Sequence, residues 1–343
     1  MKKTVLASLI SAALATSAPA VAGVSEELAA MKARIAQLES QLAAQQATLA
    51  KQEVTDQTGG FAENVSVSGT LELLATHAEA ADNNSSSDIA VDTFELAVEA
   101  EINDKLSIAT LIEYNGDEGD IELSEAFAVI GNDTSPAILT AGLAPIPVAA
   151  INDAGWTSPL TDDFFDITEG MAMVSFGGET IAADIYAFNN DDGDSINSLG
   201  LNLSVTATEG FTLGAGYVSD LSDADMADLV DGNEADGAWR VNAMAELGPA
   251  AFSAEYLELD GTNTDPTFLA LNAGYKAELA TFYLGWSEID DTDADGAADA
   301  ERTVLGLERE ISEGTSIAAE FVRDEDTEGS ETDTVNLVLI SEF

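Results

Sequence analysis

Apolar side chains recur at every second position through most of this chain, and that period constrains its fold more than anything else. Val65, Val67, Gly69, Leu71 and Leu73 alternate with Ser66, Ser68, Thr70 and Glu72, and Phe94, Leu96, Val98, Ala100 and Ile102 alternate with Glu95, Ala97, Glu99 and Glu101. A strand places successive side chains on opposite faces, so each run builds a strand with one apolar face. Sixteen such runs begin near Val65, Ile89, Leu106, Ile121, Ala137, Met171, Thr180, Leu199, Phe211, Ala238, Ala251, Thr267, Ala280, Arg302, Thr315 and Thr334. The fourth and twelfth have ambiguous facing, and bulges would shift others. No stretch of about 18 consecutive apolar residues follows the first 22, so a helical membrane span is excluded, whereas a barrel hides its apolar residues in alternation.

The connections sort by parity. Even-to-odd links are short: Asn103-Asp104, Gly177-Gly178, Thr208-Glu209-Gly210, Gly248-Pro249 and Ser312-Glu313-Gly314. Odd-to-even links are mostly longer and acidic, as in 77–88, 189–198, 219–237, 290–301 and 324–333. Tight turns on one side and long loops on the other mark an outer-membrane barrel, with the short turns in the periplasm. A sandwich or solenoid has no reason to sort loops this way, and no fixed sequence repeat is present. The expected fold is all-β: an up-and-down antiparallel transmembrane barrel of about 16 strands over 63–343. Val335, Leu337, Leu339 and Phe343 share one parity, and a last strand ending on Phe resembles the assembly signal of outer-membrane proteins.

The N-terminal part has another pattern. Lys2 and Lys3, the apolar run 5–15 and the small residues Ala18, Ala20 and Ala22 read as a cleaved signal peptide over 1–22. From 24 to 53, Leu28, Met31, Ile35, Leu38, Leu42 and Leu49 fall at heptad spacing among Ala, Gln, Glu and Lys. So short a heptad helix needs partner strands, and the chain offers no second one. The expected arrangement is a homotrimer of periplasmic coiled coils, joined to the barrel by a linker over 54–62; a lone helix lying on a surface is the alternative.

Charge then decides what such a barrel can pass. The chain has 64 acidic and 11 basic side chains, a formal net charge of −53, with no Cys and one His. A polyanion of this kind repels phosphate backbones, so nucleic acid is excluded as a partner. Thiolate and His-cluster metal sites and a Cys nucleophile are excluded with it. His77 stands beside Glu79 with no triad spacing, so an enzyme is not expected. Opposite the apolar faces stand Glu72, Glu95, Glu99, Glu101, Glu113, Asp184, Glu246, Glu255, Glu308 and Glu320, with Arg240 as the one basic residue read there. With apolar faces toward outer-membrane lipid, these line a wet lumen, and carboxylate rings favour cations. Some of the acidity also fits adaptation to salt.

The connection 143–170 differs from the other long loops in being apolar and aromatic. Pro147, Asp153, Trp156, Pro159, Asp162, Asp163, Phe164, Phe165 and Glu169 are its candidate constriction residues, because apolar residues on an outward loop need burial and folding into the barrel supplies it. Packing on a neighbouring protomer is the other way to bury them. Asp291, Asp293, Asp295, Asp299 and Glu301 resemble a calcium loop and make structural calcium the one candidate cofactor. Position twelve of that loop is Arg302, however, where a bidentate Glu belongs, so a solvated loop is the competing reading.

Signal, heptad helix (EELAAMKARIAQLESQLAAQQ) and the opening strand VSVSGTLEL together resemble coiled-coil-bearing outer-membrane porins. The stretch Leu139–Gly170, with Ala141-Gly142, Pro147, Pro159-Leu160-Thr161 and Glu169, is similar to the LbtU-type siderophore porin family. That resemblance implies passage of iron–siderophore complexes without a TonB-coupled plug. An acidic lumen suits cations and neutral solutes better, so a general cation-selective porin and a non-transport surface barrel (adhesin or structural) remain beside it. Phosphate selectivity is rejected for want of basic pore residues.

Overall fold

The computed structural model describes residues 64–343 except 82–83, 117–118, 120, 133, 151–154, 166, 179, 190–195, 220, 222–234, 262–264, 291–299 and 326–329. The side chains of Asp162, Asp163, Phe164, Ala235 and Asp236 are likewise outside it. The signal segment, the heptad run from Leu28 to Leu49 and the linker all lie outside the described residues.

The described chain forms β1 (Val65–Ala80), β2 (Ser85–Asn103), β3 (Leu106–Asn115), β4 (Ile121–Ile130), β5 (Ile138–Pro145), α1 (Leu160–Phe165), β6 (Thr168–Phe176), β7 (Ile181–Asn189) and β8 (Ile196–Thr208). It continues with β9 (Phe211–Ser219), β10 (Ala235–Leu247), β11 (Ala250–Gly261), β12 (Thr267–Lys276), β13 (Thr281–Asp290), β14 (Ala300–Ser312), β15 (Thr315–Glu325) and β16 (Glu331–Glu342). All neighbours pair antiparallel, and β1 pairs with β16, closing the barrel. Each of the sixteen starts read from the sequence lies within four residues of an observed start, the largest gap being Ile89 against Ser85.

Closure removes both sheet edges, which is what allows strands to stand in hydrocarbon with every backbone group paired. At the seam, Gly69 and Phe343 exchange both backbone bonds at 3.0 Å. The turn glycines Gly210, Gly248 and Gly314 have φ of 76°, 66° and 66°, a left-handed conformation that only glycine adopts without strain. They sit in the short connections that the sequence marked.

The two ambiguous strands each have a physical explanation. In β4 a bulge opposite Leu111 and Ile112 changes parity, so Glu125 stands across from Leu111 and Glu122 across from Glu113 on the same side of the wall. A similar break between Leu71 and Leu73 lets Ile89 and Val91, and then Phe94 and Leu96, share one face of β2. The loop-end half of β12 is apolar on both sides because both are dry there. Leu271 is 44% exposed on the outer wall, whereas Phe268 and Ala270 are fully buried inside, beneath the inserted connection described below.

The seam yields a prediction. A Cβ on Gly69 would strike the Glu95 carbonyl and the Phe343 ring. Gly69→Val should therefore destabilise the closed barrel by about 1–3 kcal/mol, as overpacking does. The measurement is the temperature at which the compact band on unheated detergent gels is lost; an unchanged temperature refutes it.

Candidate functional site: the barrel interior

Exposure and register identify the inner face. Along β13, Tyr283, Ser287 and Ile289 are buried while Phe282 and Leu284 are about half exposed, and cross-strand partners carry that assignment around the ring. On the inner face stand all of the acids marked from the sequence: Glu72, Glu95, Glu99, Glu101 and Glu113 on β1 to β3, Asp184 on β7, Glu246 and Glu255 on β10 and β11, and Glu308 and Glu320 on β14 and β15. They do not share one environment. Glu99, Glu101, Glu246 and Glu308 are exposed toward the turn end, and Glu72, Glu95, Glu113 and Asp184 are partly buried. Glu255 is 1% and Glu320 3% exposed.

The connection between β5 and β6 accounts for that difference, because it runs inside the barrel. Its Pro147 carbonyl accepts from Asn202 Nδ2 at 3.1 Å and from the Tyr186 hydroxyl at 3.4 Å. The Ala150 amide donates to Glu255 at 2.7 Å, and the Leu160 amide to Ser287 Oγ at 3.1 Å. Arg302 Nη1 donates to the Ser158 carbonyl at 3.0 Å, while its Nε holds Asp324 at 2.7 Å. Trp156 donates its indole N–H to Glu72 at 2.7 Å and its amide to Glu320 at 2.6 Å. Glu320 also accepts from the Thr157 amide at 3.2 Å, the Thr157 hydroxyl at 2.5 Å and the Tyr283 hydroxyl. These wall partners come from β1, β7, β8, β11, β13, β14 and β15. Only a segment within the lumen touches inward side chains on seven strands.

The same segment carries the interior's apolar core. Ile146, Val148, Leu160 and Phe165 pack on Tyr186, Phe188, Leu257, Phe268 and Ile289, with the Phe165 ring edge-on to Phe268 at 5.1 Å. Pro159 immediately precedes α1, where a ring without an N–H fits a helix start. This short helix was not anticipated from the sequence. Glu169 is the second residue of β6, opposite Ala144, and its carboxylate accepts from the Gly170 amide at 3.3 Å. Asp153 lies outside the described residues.

The apolar packing of the inserted segment thus runs along β7 to β13, and its polar anchors continue through β14 and β15 to Glu72 on β1. On the other side, β1 to β4 present Glu72, Asp92, Glu95, Glu113 and Glu125 with no Lys or Arg on their inner faces. Arg240 is 8% exposed and lies 3.9 Å from Glu255. The reading of Arg240 as the one internal cation needs correction: Arg302 also faces inward, opposite Ser287 and Asp324, and Lys276 takes the inward parity of β12 at its exposed turn end, opposite Thr281. The sequence marks Arg302 only as a strand start and as the residue that spoils a calcium loop, whereas parity along β14 puts it on the face of Val304 and Glu308. Of that loop, Asp291, Asp293, Asp295 and Asp299 lie outside the described residues. Glu301 stands opposite Glu288 and Glu325 on the outward parity of β14. Among the described residues no three acidic or His side chains are arranged to hold a metal ion. Glu125, Asp92 and Tyr283 are further inner-face residues that the sequence did not disclose.

A family model described as "Gram-negative porin" matches residues 10–329. The chain belongs to the Gram-negative porin family. As a porin it is an outer-membrane channel rather than an enzyme. No curated protein sequence matches it. Among solved structures it is similar in fold to the in-vitro folded trimer form of OmpT, an outer membrane protein of Vibrio cholerae: TM-score 0.59, 14% identity, 82% of this chain and 100% of that one covered. The anion-selective porin from Comamonas acidovorans gives TM-score 0.59 at 12% identity, covering 81% and 99%. Salmonella typhi OmpF in complex with daunomycin gives 0.58 at 15%, covering 82% and 98%.

Glu320 takes the Trp156 and Thr157 amides of the inserted loop. Leaving a buried N–H without its acceptor costs about 1–3 kcal/mol, so Glu320→Ala should free Trp156 and Thr157. Single-channel recordings are expected to show a larger and noisier conductance, and liposome swelling a higher solute cutoff. Glu308→Ala, at the exposed turn end, should leave both close to wild type. Unchanged conductance in Glu320→Ala would count against the anchoring role.

Proposed function

We propose that this porin is a diffusion channel preferring small cations and neutral solutes. Its conduction path follows the inner faces of β1 to β4, past Glu95, Glu99, Glu101 and Glu113, with Glu72 at its border holding Trp156. The observation that carries this reading is a charge imbalance. The carboxylates on that side have no basic residue among them, while the inward-parity cations Arg240, Lys276 and Arg302 stand on β10, β12 and β14, Arg240 and Arg302 beside Glu255 and Asp324. In a constricted passage a fixed negative field concentrates cations and raises the barrier to anions. Pro147, Trp156, Pro159 and Phe165 act in this reading as constriction residues, by filling the rest of the lumen up to Glu72.

Passage of iron–siderophore complexes, independent of TonB, is the narrower reading that the Leu139–Gly170 resemblance suggests. Its support is confined to the inserted loop, and it requires complexes that are cationic or neutral.

For assembly we propose a homotrimer, joined through the heptad positions Leu28, Met31, Ile35, Leu38, Leu42 and Leu49 in the periplasm. We place its barrel contact on the wall formed by β16 and β1 to β5. There the outward residues are aliphatic or small, including Ala100, Ala126, Ala128 and Ala141, and aromatic anchors are few. The similar OmpT structure is a trimer form.

Reversal potentials in planar bilayers under a KCl gradient test the selectivity. Wild type should favour potassium, and Glu95→Gln with Glu113→Gln should bring the permeability ratio toward unity; chloride preference in wild type overturns the proposal. Light scattering in detergent tests assembly, where a monomer refutes the trimer. If deleting the gene leaves growth on ferric siderophores unchanged, the narrower reading fails and the cation channel stands.

A further inference from the structure

The outer wall carries a feature that neither conduction nor closure uses. Across β10 to β12 it is floored by four small side chains, Ala243, Ala245, Ala254 and Ala273, which stand side by side in the ladder: Ala243 opposite Ala254, and Phe252 opposite both Ala245 and Ala273. Phe252 and Trp286 stand up at its margins, and the groove encloses about 470 Å³. That volume is within the roughly 300–1,000 Å³ of small-molecule sites. The floor and margins bear no charge, and the groove opens outward, where the barrel meets hydrocarbon.

One charged residue lies close by. Among outward-facing positions of the described strands, the charges gather at the loop end: Glu79, Glu258, Asp260, Glu288, Asp290, Glu301 and the Arg323–Asp333 pair. Arg309 on β14 is the exception, exposed at the turn end on the same outward parity as Leu305 and Leu307. Leu305 pairs with Leu284 at the groove's edge, and four residues of strand set Arg309 about 13 Å farther toward the periplasm. Its neighbours Glu308 and Glu310 take the opposite, inward parity, and it makes no ion pair among the described residues. A lone guanidinium at that level is out of keeping with a chain of 64 acids and 11 bases unless it meets an anion, and guanidinium matches phosphate geometry well. Its stem also lies over apolar wall while the head reaches the interface.

We propose that this wall binds a phospholipid of the periplasmic leaflet, one acyl chain lying in the alanine-floored groove and the phosphate held by Arg309. The groove supplies shape for a single chain and Arg309 supplies headgroup charge. The site therefore discriminates phosphate-bearing two-chain lipids from neutral ones, and it faces away from the wall assigned to the trimer contact.

Native mass spectrometry of the full-length porin extracted in a mild detergent, with added dioleoyl phosphatidylglycerol or dioleoylglycerol, tests this. Wild type should retain one phosphatidylglycerol per protomer and far less dioleoylglycerol. Ala254→Trp, which fills the groove, should abolish retention of both. Arg309→Glu should cut phosphatidylglycerol retention about tenfold, a loss of roughly 1.4 kcal/mol, without affecting dioleoylglycerol. Leu201→Trp, outward on β8 and away from both the groove and the trimer wall, should bind as wild type, and unaltered single-channel conductance confirms that each variant is folded. Retention unchanged in Ala254→Trp and Arg309→Glu overturns the site. So does a change of oligomeric state in Ala254→Trp, which would make the groove a contact between copies.

Discussion

Everything in this porin depends on backbone hydrogen bonding around a closed ring. In hydrocarbon an unpaired N–H or C=O costs several kcal/mol, so a sheet survives there only when its last strand returns to its first. The pairing of β1 with β16, with Gly69 and Phe343 bonded to each other at the seam, meets that requirement. Once the ring closes, each side chain has only two places to go. Outward positions meet lipid and inward positions meet the lumen, and the period of two turns that division into sequence.

The interior then divides a second time. The connection between β5 and β6 enters the lumen with Ile146, Val148, Leu160 and Phe165 and makes the β7 to β13 side a packed, dry core. Its polar backbone cannot enter unpaired, and the wall supplies acceptors: Glu255, Glu320 and Ser287 take its amides, while Asn202, Tyr186 and Arg302 serve its carbonyls. Inner-face carboxylates therefore perform two kinds of work. Glu320, Glu255 and Glu72 are structural acceptors, whereas Glu95 and Glu113 remain partly open to water. We read only the second kind as a field for passing ions.

Much of the architecture was legible beforehand because alternation and loop parity are local properties. Sixteen strands, their starts and the turn glycines follow from neighbours along the chain. The inner parity of Glu72 and Glu320 could be read in the same way. Glu125 could not, since a bulge set by β3 decides where β4 changes face. Arg302 differs again: it stands at the loop end of β14, and its inward facing shows only once that strand is in register with Ser287 and Asp324. The apolar inner face of β12 looked ambiguous because the segment covering it lies more than a hundred residues earlier in sequence.

By itself, then, the sequence determined the strand count, the two faces of most strands and the sign of the charge they carry. All of these are fixed by spacing within a few residues. The tertiary structure alone decided which carboxylates are spent on holding the inserted loop, which side of the lumen stays wet, and that Arg309 stands near an apolar groove on the outer wall. Those are distances between residues far apart in the chain. Ring closure and register set them, and neither is written in any local pattern.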